Sequence, residues 1–300
     1  MQKPKLLLLP DQWSNARAHF LEPLYSEYFE LVLIDLTATY NPRECIVYSH
    51  CLDTNWTIPW RDRGFVVVID NLWEEIQKNL PYDVHIIQPS RWFFRANESL
   101  WYTSLGYDQY QRNPVITKTF LMLMNIRRDH RDQIWKQIDL TDSIYSYHGR
   151  GIKLNYTDKN TIDADWQRAF NPDWYDLTNF SMVVESTVVP EELWHSEKTW
   201  KPIAFYHPFI LWGPAGYVQD LQEQGFASFD HVIDESYDSE PDHARRLAMI
   251  VDQARNLRTI QLTDSETEKR TTHNHNLFFD IEWSRDQFRQ HLFYPILDLL

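Results

Sequence analysis

The chain has 300 residues, 43% of them hydrophobic, and a formal net charge of −14. That is enough apolar material for two ordinary domains, and the acidic balance excludes a broad nucleic-acid surface, which is held mainly by clustered Lys and Arg. Only seven glycines occur, and the absence of Gly-x-Gly-x-x-Gly and Gly-x-x-x-x-Gly-Lys excludes the standard dinucleotide and P-loop sites.

Leu6–Leu9 opens the chain as an apolar run. Four leucines are too short for a signal peptide or a membrane span, so neither is expected. Leu31–Leu36, Val66–Ile69 and Val84–Ile87 follow with strand length and branching, separated by segments long enough for helices. This is the rhythm of an open α/β domain. Asp11 and Asp70 stand just past two of these runs, where an acid meets a ligand at a strand's carboxyl end. Cys45 and Cys51 have no further Cys partners, which argues against a disulfide framework and for a reduced, cytoplasmic setting. Trp13, Trp56, Trp60, Trp73, Trp92 and Trp101 are suited to stacking, although large aromatics are more often core. The rhythm breaks over Trp101–Val115, and an interdomain linker is expected at 112–116.

A second set of strands is expected at Phe120–Met124, Ser181–Val184 and Phe209–Leu211. After the first comes a basic turn with Arg127 and Arg128, then His130 and a helix from about Arg131. A guanidinium fork suits phosphate, although both arginines also read as ordinary loop charges. His130 reads equally as a helix-start residue or a substrate contact. After Ser181–Val184 comes Glu185, at a strand end. Some ten residues later Ser196 is placed as an N-cap before Glu197-Lys198-Thr199-Trp200. A helix start there offers free N–H groups to a phosphate. Lys198 can neutralise diphosphate charge, and Glu197 can accept from ribose hydroxyls; the bland alternative is a pair of solvated charges. Asp163-Ala-Asp165 fits a divalent-cation pattern but lacks an apolar strand to position it. A helix over Asp242–Arg258 follows. His273 and His275 read as a polar loop before a terminal helix at 276–300, with no third ligand at metal spacing.

In this order, Glu185-Ser186, Ser196-Glu197-Lys198 and Pro208-Phe-Ile-x-x-Gly213-Pro214 resemble the donor-binding motif of the α1,3-fucosyltransferases and their soluble bacterial and phage relatives. That family carries Glu-Asn-Ser, Thr-Glu-Lys and Pro-Val-x-x-Gly there. The resemblance spans roughly residues 117 to 260 and includes Gly225-Phe226-x-x-Phe229 and Asp234-Glu235-Ser-Tyr237-Asp238. It implies a GT-B fold, two Rossmann-like open parallel-sheet domains facing across a cleft. Residues 1–115 would form the acceptor domain and 116–275 the nucleotide-sugar donor domain, with the 276–300 helix crossing back to the first.

The implied activity is an inverting, metal-independent glycosyl transfer from a nucleoside-diphosphate sugar to an acceptor hydroxyl, with a glycan as acceptor and no cofactor beyond the sugar nucleotide. Arg127, Arg128, Glu185, Ser186, Ser196, Glu197 and Lys198 are the expected donor-binding residues, and Asp70 or Asp11 the expected general base. Two other readings stay open: a GT-B-like binding protein without turnover, and a phage-type enzyme acting on modified DNA bases. The latter calls for a basic groove in the first half, where Arg61, Arg63, Arg91 and Arg95 are the candidates. Replacing both Asp163 and Asp165 by Ala is expected to leave transfer intact in EDTA. Loss of activity both in that variant and on chelation would restore the metal-dependent reading.

Overall fold

The computed structural model describes residues 3–8, 22–35, 38–42, 44–51, 63–64, 66–71, 92–156, 171–189 and 195–297. The chain forms two compact units, one of Met1–Trp101 with Asp280–Leu300 and one of Tyr102–Phe279.

The first unit holds β1 (Lys5–Leu8), α1 (Glu22–Tyr28), β2 (Glu30–Leu33), β3 (Cys45–Cys51) and β4 (Val66–Asn71), with α2 (Trp92–Ser104) leading out of it. The sheet order is β2-β1-β3-β4, and every pairing is parallel. Leu6, Leu7, Ile46 and Val47 are buried, as expected of unbroken apolar runs covered on both faces. The expected strands at Leu6–Leu9, Leu31–Leu36 and Val66–Ile69 appear with shifted ends, and Val84–Ile87 lies outside the described residues. Strand β3 was not anticipated, because Ile46-Val47-Tyr48 is cut short by Ser49-His50. Its six rises separate Cys45 from Cys51 by roughly 20 Å, far beyond disulfide reach. Helices α9 (Ile281–Phe288) and α10 (Tyr294–Leu297), joined by a π turn, complete this unit. They pack through rings: Phe288 meets Tyr25 edge-on at 4.9 Å and stacks on Tyr28 at 5.4 Å.

Arg95 is fully buried with its guanidinium 3.3 Å over the Trp283 ring, and burial lowers its pKa to about 9. It is a packing cation and offers nothing to a nucleic acid.

The second unit holds β5 (Lys118–Met124), α3 (Asp129–Gln137), β6 (Ile144–Tyr147), α4 (Pro172–Leu177) and β7 (Thr178–Val184). It continues with α5 (Glu197–Ala204), β8 (Phe209–Trp212), α6 (Tyr217–Glu223), α7 (His243–Asn256) and α8 (Ser265–Phe278). Its sheet is parallel throughout, in the order β6-β5-β7-β8. All seven residues of β7 are buried. The order reverses between β5 and β7, so the loops leaving those two strands diverge and open a crevice at their carboxyl ends.

The amino ends are closed by Arg112, whose guanidinium donates to the carbonyls of Tyr175, Thr178 and Tyr206. Residues 112–116 therefore lie within the second unit, and the chain changes unit inside α2. His273 and His275 sit on α8 and not in a loop. His275 is buried, stacks on Tyr206 at 3.9 Å and donates from Nδ1 to the Ala204 carbonyl at 2.9 Å. Beneath that helix Trp200 stacks on Phe278 at 5.8 Å.

Gly149, just past β6, donates its amide to the Asn125 carbonyl at 2.6 Å. A Cβ there would stand 2.3 Å from the Arg127 nitrogen and 2.7 Å from that carbonyl oxygen. Gly149→Ala is expected to cost about 3 kcal/mol in urea unfolding, because backbone must move to admit it. Gly151→Ala, where φ is +72° but the space is open, is expected to cost about 1 kcal/mol.

Candidate functional site

The crevice is built by three segments: residues 125–131 after β5, residues 185–189 after β7, and the start of α5. Glu185 ties them together. Its amide donates to the Trp212 carbonyl at 2.9 Å, extending the pairing of β7 with β8. Its carbonyl accepts from Arg131 Nη2 at 3.1 Å and His130 Nε2 at 3.0 Å, which fixes His130 with its proton on Nε2. Its carboxylate accepts from the Ser186 amide, the Ser196 amide, the Ser196 hydroxyl at 2.5 Å and the Thr199 hydroxyl at 2.5 Å. The residue is 1% exposed. Glu185 therefore spends its acceptor capacity inside the protein, setting where α5 begins.

Ser196 is the N-cap of α5, with Oγ accepting from the Lys198 amide at 3.3 Å. Lys198 and Glu197, adjacent in sequence, pair at 2.6 Å, and Lys198 Nζ also reaches the hydroxyls of Ser186 at 3.2 Å and Ser196 at 3.3 Å. Both side chains are largely buried, so they are not a solvated pair. Pro202 falls in the sixth position of this eight-residue helix, which ends two residues later at Ala204; its missing N–H limits the helix to a short one.

On the β5 side, Arg128 occupies the extended N-cap position of α3, and no described residue partners its guanidinium. Arg127 is 64% exposed and donates from Nε to Asp132 at 2.9 Å. Arg131, expected only as a helix start, is 2% exposed and, among the described residues, hydrogen-bonds to the carbonyls of Ile126 at 2.8 Å and Glu185. Its Nε has no partner among the described residues. Burial first, then the neighbouring Arg128, lowers its pKa. Arg150, after β6, donates to Asp132 at 2.6 Å. Arg127, Arg128, Arg131, Arg150 and Lys198 thus gather around the carboxylates of Asp132, Glu185 and Glu197, a cationic surplus in an acidic chain.

Sequence reasoning missed the support behind this surface. His195 Nε2 meets Asp220 Oδ2 at 2.8 Å, both fully buried, and its carbonyl accepts from Trp200 Nε1 at 3.1 Å. Tyr217 lies 4.5 Å from the His195 ring, an approach that needs Gly213, whose added Cβ would fall 2.3 Å from the tyrosine ring. Asp238 accepts from the Val218 and Gln219 amides and so caps α6. These partners lie some twenty residues apart in sequence, and no local pattern marks them.

Of the two expected bases, Asp11 lies outside the described residues, as do Asp163 and Asp165. Asp70 is the fifth residue of β4 and not a residue beyond it, because the strand runs on to Asn71, opposite Cys51.

No protein-family model and no curated protein matches this chain. Among solved structures, the crystal structure of an α1,3-fucosyltransferase aligns with 96% of this chain and 90% of its own, at a TM-score of 0.52 and 10% identity. The chain has a fucosyltransferase-like GT-B fold. At that identity the likeness is one of fold, and the chemistry of the crevice rests on the residues that line it.

Burial lowers the His130 pKa to about 4, and its bond to the Glu185 carbonyl only partly opposes this. A histidine unfolded near pH 6.5 binds its proton before the folded one does. The stability due to neutral His130 is therefore complete above pH 6.5 and lost as pH falls toward 4. His207 and His275, also lowered by burial, add to the same window. His130→Gln should flatten that acid limb in chemical denaturation by about 3 kcal/mol at pH 4.

Proposed function

We propose that the protein is a glycosyltransferase that binds a nucleoside-diphosphate sugar in the crevice between β5 and β7 and transfers the sugar to an acceptor hydroxyl, with a glycan as the acceptor. The observation that carries this reading is the preset cationic crevice at the reversal point of a parallel sheet. Lys198 is held by Glu197, Ser186 and Ser196 beside the capped start of α5, opposite the arginines of residues 127–131. Anions bind at such points because free N–H groups and side-chain cations converge there. The GT-B fold supports the same class by analogy.

In the proposed reaction the acceptor oxygen attacks the anomeric carbon and its proton passes to a carboxylate. The bond from that carbon to the diphosphate oxygen breaks, with inversion. Charge then develops on the leaving diphosphate, and Lys198, Arg128 and Arg131 are the groups suited to stabilise it without a metal ion. Arg131 is suited because its buried guanidinium hydrogen-bonds to carbonyls while the carboxylates of Glu185 and Glu197 act on it through space, so an arriving phosphate would give it a directly bonded anion. Glu185 serves as the brace that places α5, while Ser186 and Ser196 hold the lysine. Asp70 or Asp11 remains the proposed base. Among the described residues no helix is long and apolar enough to cross a membrane.

A thermal-shift screen against GDP, UDP, ADP, CMP, TDP and their sugar conjugates, without added metal, tests this reading, since a ligand of the folded state raises the melting point by mass action. One nucleotide should give a clear shift that Lys198→Ala removes. Turnover in that variant should fall more than about tenfold, the effect of roughly 1.4 kcal/mol of lost transition-state stabilisation. No shift with any nucleotide would favour a GT-B-like scaffold without turnover.

A further inference from the structure

Asp132 stands apart from the Lys198 side of the crevice, toward β6. Its Oδ2 accepts from Arg127 Nε at 2.9 Å, and its Oδ1 from Arg150 Nε at 2.6 Å and from the Tyr147 hydroxyl at 2.8 Å. Arg150 and then Arg127 hold its carboxyl well below the usual carboxylate range, so it stays ionised. Both arginines are thus tethered by Nε. This mode of attachment immobilises a guanidinium plane and leaves terminal amino groups available on Arg127, while Arg150 also meets the Tyr147 hydroxyl. The terminal nitrogens of Arg127 have no described partner, and its side chain is 64% exposed; that of Arg150 is 29% exposed.

Two further features draw the pair together. Gly149 lets the chain after β6 close on the Arg127 backbone, in a space that any side chain would fill. One carboxylate faces two guanidiniums, with Arg128, whose guanidinium has no partner among the described residues, alongside, so the described group carries surplus positive charge. Two guanidiniums on one carboxylate, with net positive charge, are matched by a tetrahedral dianion.

We propose that Arg127 and Arg150, held as a pair by Asp132, form a seat for a dianionic phosphoryl group, with Arg150 a direct ligand and Asp132 a positioning residue. The inference takes from the glycosyltransferase reading only the source of that group, which is either the terminal phosphate of the departing nucleoside diphosphate, dianionic once the sugar has left, or a phosphate carried by the acceptor.

Calorimetric titration of the full chain with a nucleoside monophosphate, the corresponding diphosphate and inorganic phosphate tests it, in wild type, Arg150→Gln, Asp132→Asn and Lys198→Ala. Arg150 is partly exposed, and an unchanged melting curve shows that its variant folds, so the test does not depend on Asp132→Asn being stable. If the donor supplies the group, Arg150→Gln weakens the diphosphate by about tenfold or more and leaves the monophosphate within about twofold. If the acceptor supplies it, both nucleotides bind Arg150→Gln as they bind wild type, and inorganic phosphate, which binds nucleotide-saturated wild type, no longer binds. Phosphate binding that needs Arg150 in a chain that takes no nucleotide would keep the seat and remove the glycosyltransferase reading. Nucleotide binding lost in Lys198→Ala, with all three ligands unmoved by Arg150→Gln, would keep that reading and overturn the seat.

Discussion

The second unit depends on a buried carboxylate. Removing a charged group from water is expensive unless hydrogen bonds replace its hydration. Glu185 meets that demand with four donors drawn from its own turn and the start of α5. Because its main chain also binds β8, His130 and Arg131, one residue fixes three elements relative to each other. A shift of α5 would strand the carboxylate, and a shift of α3 would strand Arg131. The crevice is therefore held in shape by the cost of leaving buried charges unpaired, and the cations around it need little rearrangement to receive an anion.

The two ends of this sheet are built differently. At the amino ends Arg112 donates to three carbonyls and its pKa is lowered to about 10 by burial, while His207 contacts Thr178 and Ser181. The polar groups there are committed to one another. At the carboxyl ends, among the described residues, cations outnumber carboxylates and Arg128 has no partner for its guanidinium. An acidic chain that concentrates positive charge at one end of one sheet creates a local field for an anion against its own average charge. The tight approaches at Gly149 and Gly213 belong to this end too: the first lets the loop after β6 close on the loop after β5, and the second admits the Tyr217 ring, where a methyl group would not fit.

Much of the scaffold was readable from the chain, because strands buried on both faces must be apolar runs and helix starts must supply caps. The runs at 6, 66, 120, 181 and 209 became strands, and Ser196 became the N-cap of α5. The motif order around Glu185, Ser196 and Gly213 pointed to the GT-B fold that the structural comparison then showed. Strands β3 and β6 escaped notice because polar residues interrupt them, and the two histidines near 274 were misplaced in a loop because α8 has no clear apolar stripe.

The sequence by itself determined which residue types stand at strand ends and helix starts, since periodicity and capping are local. Tertiary structure decided what each of them touches. Glu185 read as an acid open to a ligand, yet it is saturated by Ser196 and Thr199 more than ten residues away; Glu197 and Lys198 read as separate contacts to ribose and diphosphate, with solvated charges as the alternative, yet they pair with each other in a largely enclosed corner. Arg131 and Arg150 carried no signal, because burial and a shared carboxylate at Asp132 arise only when parallel pairing brings the ends of β5, β6 and β7 side by side. A local pattern specifies the face a side chain presents, and its partner depends on how the sheet is ordered, which no single segment encodes.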